Sequence, residues 1–275
     1  MSTHHCQLDI DSRGVARLTL DRPAVHNAFD DALIAALNAH LERLHALAAS
    51  GEVRVVVLGS HGKHFSAGAD LAWMKRMVDY SVDDNLADSR QLSRLMHGLD
   101  TLPCPTLCRV QGAAYGGAVG LAACCDLVIA SDAARFCLSE VKIGLSPAVV
   151  GPYVQRAIGA RQMRRYALTA EVIDAATARE LGLVHQVVAG DALDEEIDRQ
   201  IDALLAASPQ AQLATKVLLA QIAREPESDT TREAACRTIS ELRVSAEGQE
   251  GLAAFFDKRP PAWLVASGGD KEPRS

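Results

Sequence analysis

The segment VRVVVLGS, Val53–Ser60, is apolar on both faces. A strand with that pattern is stable only when layers cover it on either side. It runs straight into HGKHFSAGADLAWMKRMV, where small residues stand at the start of a helical pattern. The same order returns after the breaker PCP: a short strand TLCRV, Thr106–Val110, then QGAAYGGAVGLAACCDL opening another helix. Strand, small-residue turn and helix in repetition predict an α/β fold. Small side chains let a backbone approach a ligand, and a helix start offers unpaired N–H groups that favour negative charge. The two turns are therefore candidates for an anion site built of backbone.

The rest of the chain is organised around these two units. VARLTLDRP, Val15–Pro23, alternates apolar and polar residues and stops at a proline, which predicts a half-exposed strand. In the helix that follows, Asp30 and Asp31 occupy the first turn, Leu33, Leu37, Leu41 and Leu44 form one stripe, and Gly51 supplies the stop. A further helix spans Asn85 to Leu102. DLVIAS and ARFCLSEV read as strands, GPYVQRAIG and RQMRRYALTA as helices, and DAATARELGLVHQVV as a helix followed by a strand. Past Asp191 only helical patterns remain: Leu193 to Ala207, Gln210 to Arg224, Thr230 to Gln249, and a shorter GLAAFFDKRPP ended by its double proline. These patterns predict a core over residues 1–208, an all-helical region over 209–265 and a disordered tail over 266–275.

Several functions are disfavoured by composition. A chain of 275 residues that is 48% hydrophobic can bury a full core. A formal net charge of -7 speaks against nucleic-acid binding, so any phosphate contact must be local. No apolar run reaches the roughly 18 residues of a membrane span, and MSTHHCQLDIDSRG lacks the apolar block of a signal peptide, so a cytoplasmic protein is expected. Seven cysteines without CxxC spacing predict reduced, mostly buried thiols, with Cys124 and Cys125 in the core. There is no HExxH, and His40 and His45 stand five apart, off a common helical face, so no metal site is expected.

Three readings compete for GAAYGGAVG. A P-loop needs Lys and Ser or Thr after its last glycine, but Ala118 and Val119 follow Gly117; a dinucleotide fingerprint needs G-x-G-x-x-G, which no phase of Gly112, Gly116, Gly117 and Gly120 provides. An oxyanion hole remains, in which one backbone N–H from each turn converges on an oxygen that gains charge during reaction. The same glycines could serve tight packing alone.

The pair SAGADL and GAAYGGAVGLAACCDL, followed by FCLSEVKIGLSP, ALTAEVIDAATARELGLVHQVV and EGLAAFFDKRPPAW, resembles the crotonase superfamily of enoyl-CoA hydratases and isomerases, over roughly residues 8 to 260. The resemblance implies a crotonase-like spiral of β-β-α units with a helical C-terminal region, and a homotrimer or a hexamer made of two trimers. It implies no permanently bound cofactor; coenzyme A arrives as part of the acyl-CoA substrate. It maps the oxyanion donors to the N–H groups of Ala69 and Gly117, and the adenine side of coenzyme A to Ala67, Ala69 and Leu71. Lys258 matches a basic tail end that approaches coenzyme A near a subunit boundary in relatives, although it could equally be a solvated helix end. Trp73, Met74, Met77 and Tyr80 are candidates for the acyl pocket, or for core and trimer contact.

Well-known hydratases of this kind use two glutamates, and this chain matches one of them, Glu140 in LSEVKIG; the other aligns with Gly120. Partial burial would raise the Glu140 pKa toward the range of a general base. A single carboxylate also fits Δ3,Δ2-enoyl-CoA isomerases. The run RFCLSEVKIGLSPAVVGPYVQRAIG, however, looks most like bacterial 3-methylglutaconyl-CoA hydratases and their isohexenylglutaconyl-CoA counterparts, of leucine and acyclic-terpene breakdown. A glutaconyl substrate carries its own distal carboxylate, so Gly120 is expected to clear both charge and volume. A noncatalytic relative that binds acyl-CoA or RNA is the alternative of another class.

Overall fold

The structure is a computed structural model that describes residues 5–265, and the tail 266–275 lies outside the described residues. Strand β1 (Cys6–Ile10) turns back into β2 (Val15–Leu20) as an antiparallel hairpin. Helix α1 (Asp31–Ala49) starts where the Asp30 carboxylate accepts the Leu33 N–H at 2.8 Å, and its leucine stripe, Leu33, Leu37, Leu41 and Leu44, is buried. It leads to β3 (Val55–Ser60), whose six residues are all buried as the two-faced apolar pattern requires. β2 departs from expectation, since no residue of it is exposed. The reason is its place inside the sheet, between β1 and β3, with Leu18 and Leu20 in the larger core cluster and Val15 in the smaller one.

Three β-β-α units follow in a spiral. The first combines β3, a single bridging residue Ser66, and helices α2 (Leu71–Met77) and α3 (Val82–Asp100). The second is β4 (Thr106–Val110), β5 (Ala113–Tyr115) and α4 (Gly117–Cys124); the third is β6 (Leu127–Ser131), β7 (Arg135–Cys137) and α5 (Gly151–Thr169), kinked at Gly159. The strand expected over ARFCLSEV thus ends at Cys137, and Glu140–Ile143 form a 3-10 turn. Short strand β8 (Ile173–Asp174), α6 (Ala175–Glu180) and β9 (Gln186–Val188) close the series. The long strands form one sheet in the order β1-β2-β3-β4-β6-β9, parallel except for β1, and the short ones a second sheet, β5-β7-β8.

Helix α7 (Leu193–Leu205) covers one face of the long sheet through Leu193, Ile197, Ile201 and Leu205, against Val15, Val55, Val57, Leu107 and Ile129. Beyond it come α8 (Pro209–Arg224), α9 (Asp229–Val244), α10 (Ala246–Asp257) and α11 (Ala262–Val265). The single helix expected over Thr230–Gln249 is two, because Ser245 adopts an extended conformation and its hydroxyl caps α10 by accepting the Gly248 N–H at 3.0 Å. Polar links hold these helices to the core: Lys216 Nζ donates to Asp126 at 2.6 Å, and Trp263 Nε1 to the Ala206 carbonyl at 3.1 Å. Val217, Val244, Phe255 and Phe256 stay exposed. Among the described residues no helix is long and apolar enough to cross a membrane.

Ile201 is fully buried between α7 and the sheet. Ile201→Ala should cost about 2–5 kcal/mol in urea unfolding; a loss below about 1 kcal/mol would mean that α7 is not docked as described.

Candidate active site

The two small-residue turns lie side by side because their flanking backbones pair. The Ser66 N–H donates to the Ala113 carbonyl at 3.0 Å, and the Tyr115 N–H to the Ser66 carbonyl at 3.0 Å. Strand β5 pairs in parallel with β7, Tyr115 opposite Cys137, and the Gly116 N–H extends that ladder to the Cys137 carbonyl at 2.9 Å. Turn one, turn two and the segment that carries Glu140 are thereby neighbours.

Both turns require glycine. Gly68 has φ +96°, and a Cβ there would lie 3.4 Å from the Tyr115 carbonyl oxygen; Gly116 has φ +56°, and a Cβ there would lie 3.3 Å from Glu140 Oε1. These close approaches free two amides. The Ala69 and Gly117 N–H groups donate to no group among the described residues, while Phe29 N–H donates to the Gly68 carbonyl at 2.7 Å and Asp70 N–H to the Phe29 carbonyl at 2.8 Å. Gly117 opens α4, so its amide is one of the helix's unpaired donors, and the space where its Cβ would stand is empty.

Glu140 is half-buried in its 3-10 turn, and its Oε2 is fully buried with no hydrogen-bond partner. Burial raises its pKa above the usual glutamate value, against a weaker opposing pull from its own amide. A partly desolvated carboxylate with one unpartnered oxygen, set against a turn with a free amide, can take up a proton from a substrate held there. An oxygen between the two N–H groups would be stabilised as it became negative.

Gly120 does not leave the free volume that the sequence led us to expect. It is buried in α4, and a Cβ there would stand 2.4 Å from Val150 Cγ1 and 3.1 Å from Met96 Sδ. The charge is absent, but Val150 fills the space. Trp73 lies in the main apolar core at 6% exposure with its Nε1–H buried and unpartnered; Met77 is half-buried against that core, and Met74 and Tyr80 are half-buried. Ala67 and Ala69 are exposed on the turn, and Leu71 projects at 82% exposure. Lys258 is exposed at the end of α10 with φ +54°, and no described contact joins it to the turns.

The sequence reading missed the polar frame behind the first turn. Asn27 is 1% exposed, and its Nδ2 donates to the carbonyls of His61 at 2.8 Å and His64 at 2.9 Å. Arg22 bridges Asp30 and Asp70, the residues that cap α1 and α2. Aspartates directly before two helical patterns were the available signal. A cavity of about 470 Å³ opens on the α7 face of the sheet, lined by Arg17, Thr19, Gly59, Arg109, Gln111 and Asp194 among others, but not by Glu140, Ala69 or Gly117. Its arginines are each paired with a carboxylate, Arg17 with Asp198 and Arg109 with Asp194, so it offers no net charge to match the backbone site. The cysteines follow expectation: all are free, Cys124 and Cys125 are buried, and Cys236 is exposed. No three metal-ligating side chains gather among the described residues.

A spiral of β-β-α units brings together two turns with free amides and, against the second turn, one half-buried carboxylate, groups of the kind that can polarise a carbonyl and move a proton. The chain belongs to the enoyl-CoA hydratase/isomerase family, whose profile matches residues 11–265. It is 45% identical to an enoyl-CoA hydratase from Shewanella pealeana, whose crystal structure superposes with a TM-score of 0.90 over 95% of this chain and 97% of that one. It is 31% identical to the 2,3-dehydroadipyl-CoA hydratase of Escherichia coli, over 90% of this chain and 94% of the relative. It is 30% identical to a trans-2-decenoyl-[acyl-carrier-protein] isomerase from Streptococcus mutans, again over 90% and 94%.

Gly120→Ala should destabilise the fold by about 1–3 kcal/mol through the clash with Val150. Adding Val150→Ala should recover part of that loss in urea unfolding, and purely additive effects would show that the two residues do not compete for the same space.

Proposed function

We propose that the protein hydrates a branched glutaconyl-CoA thioester, 3-methylglutaconyl-CoA or isohexenylglutaconyl-CoA, with Glu140 as its one acid-base group. The observation that carries this reading is Glu140, whose Oε1 lies against the Gly116 turn with its free Gly117 amide and whose Oε2 is buried without a partner. In the proposed reaction Glu140 takes a proton from water as the oxygen bonds to C3. The C2–C3 π electrons shift toward the thioester carbonyl, and the Ala69 and Gly117 N–H groups hold the enolate oxygen. Glu140, now carrying that proton, delivers it to C2, which restores the carboxylate and completes the addition of water. Removing one such donor typically costs about 3 kcal/mol of barrier.

Ala67, Ala69 and Leu71 would border the adenine side of coenzyme A, with Lys258 reaching it from a neighbouring subunit of a trimer or of a hexamer. Exposed Val217, Phe255 and Phe256 on the C-terminal helices support such an assembly, with residues 209–265 as the trimerisation region. Two features support a dicarboxylic acyl group. One relative's name, 2,3-dehydroadipyl-CoA hydratase, denotes an enoyl thioester with a distal carboxylate. At Gly120 there is no acid to oppose such a group, where like charges about 4 Å apart would repel by about 4 kcal/mol at intermediate dielectric.

The apolar Val150 over Gly120 and the isomerase relative favour a second reading, transfer of one proton between carbons by Glu140 alone. Incubation with 3-methylglutaconyl-CoA in oxygen-18 water separates them. Label in a 3-hydroxy acyl product supports hydration; an unlabelled product with a moved double bond supports isomerisation; no reaction with this ester sends the test to isohexenylglutaconyl-CoA.

Glu140→Gln should lower turnover by about a hundredfold or more with little change in acyl-CoA binding. As the base must be ionised and its pKa is raised, activity should fall on the acid side at a pH above the ordinary glutamate range. The folded state holds this proton more tightly than the unfolded chain, so stability falls as pH rises from the unfolded to the folded pKa. Glu140→Gln should therefore raise Tm at neutral pH, and an unchanged Tm would remove the desolvation argument.

A further inference from the structure

The first turn is aimed by a group outside it. A peptide unit is planar and trans, so the Gly68 carbonyl and the Ala69 N–H point in opposite directions from one rigid plane. The Gly68 carbonyl accepts the Phe29 N–H at 2.7 Å, and the Phe29 carbonyl accepts the Asp70 N–H at 2.8 Å. The direction of the Ala69 N–H is thus set by where Phe29 stands.

Phe29 is held on both sides by Arg22. Arg22 Nη1 donates to the Ala28 carbonyl at 2.5 Å, and Nη2 lies 2.8 Å from Asp30 Oδ2 and 3.3 Å from Asp70 Oδ2. The other oxygen of each aspartate is already engaged at a helix start: Asp30 Oδ1 accepts the Leu33 N–H at 2.8 Å, and Asp70 Oδ1 accepts the Ala72 and Trp73 N–H groups at 2.8 and 3.2 Å. Neither carboxylate can rotate without losing a cap. Arg22 itself is fixed two residues beyond β2, at the start of a 3-10 turn over Pro23–Val25, its N–H donating to Asn27 Oδ1 at 2.8 Å and its carbonyl accepting the Asn27 N–H at 2.9 Å. The three charged side chains are only 14–16% exposed, so water competes weakly for these contacts.

We propose that Arg22 is a positioning residue that aims the Ala69 N–H, by gripping the Ala28 carbonyl and the Asp30 carboxylate around Phe29 and tying them to Asp70. A planar guanidinium reaches three oxygens at fixed angles, which an ammonium does not reproduce. The catalytic meaning rests on the oxyanion reading above, whereas the structural claim stands without it.

The test compares wild type with Arg22→Met, Arg22→Lys and Asp30→Asn, the last keeping a side chain that can cap α1. Amide hydrogen exchange of the ligand-free protein should accelerate about tenfold at Phe29 and Asp70 in Arg22→Met, less in the other two, with the sheet amides unchanged. Unchanged exchange at those two amides, or equal acceleration throughout the chain, overturns the proposal. If Arg22→Met fails to fold, Arg22→Lys and Asp30→Asn carry the same comparison. The catalytic arm uses a chromophoric thioester, 4-(dimethylamino)cinnamoyl-CoA, whose absorption moves to the red when its carbonyl oxygen is polarised. A red shift in wild type that shrinks in Arg22→Met, with kcat lower by about tenfold and KM within about threefold, supports the aim. A full shift and full kcat in Arg22→Met refute it. No shift in wild type defeats the oxyanion reading, and the exchange result then decides alone whether Arg22 holds the turn.

Discussion

The site depends on the pairing of very short inner strands. Ser66 bridges to Ala114, and β5 pairs with β7 over three residues. A strand of three residues has little stability of its own. Here it is held because each follows a long parallel strand whose register is already set in the main sheet: Leu58 opposite Cys108, and Val110 opposite Ala130. With the long strands in register, the inner ones meet in register too, and the turns at their ends fall next to each other. A slip of one residue would reverse the faces of Tyr115 and Phe136 and separate Gly116 from Glu140.

The electrostatics follow from that ladder. Glu140 stands three residues past Cys137, and Gly116 one past Tyr115, so their closeness is a property of the Tyr115–Cys137 pair. A Cβ at Gly116 would crowd Glu140 Oε1 at 3.3 Å, and burial of the carboxylate raises its pKa. The same glycine immediately precedes α4, and the amide of Gly117, which opens the helix, is left free. The proposed donor Gly117 and the proposed base Glu140 thus come from one piece of local geometry, while the second proposed donor, Ala69, comes from a separate turn with its own supports.

What could be read in the sequence was what a local pattern carries. The leucine stripe of α1, the two-faced apolar β3, the glycine-rich turns and the helical C-terminal region all announce themselves within a few residues. β1 did not, since CQLDI buries only Cys6 and shows no alternation of faces. The burial of β2 could not be read either, because its period-two pattern says nothing about a second covering layer. At the site, the identity of Gly120 was legible but its partner was not: Val150 is thirty positions away and meets it only through the packing of α4 on the start of α5. Arg22, Asp30 and Asp70 were hidden for a similar reason, each explicable alone as a turn or cap residue and meaningful only as a triangle.

Filling the Gly120 position with Val150 narrows what the proposed chemistry can be. If hydration occurs, no second carboxylate from α4 shares the work, so on the proposed reading proton removal from water and delivery to C2 both fall to Glu140. Glu140 has two oxygens in unlike settings, Oε1 against Gly116 and Oε2 buried without a partner. Burial disfavours the charge of the ionised group and so favours its taking up a proton. An acid beside an enolate is suited to returning its proton to carbon; in hydration that proton comes from a water whose oxygen bonds to C3, in isomerisation from another carbon with no oxygen added. On the reading proposed above, a water able to reach C3 would decide for hydration, and its exclusion for transfer between carbons.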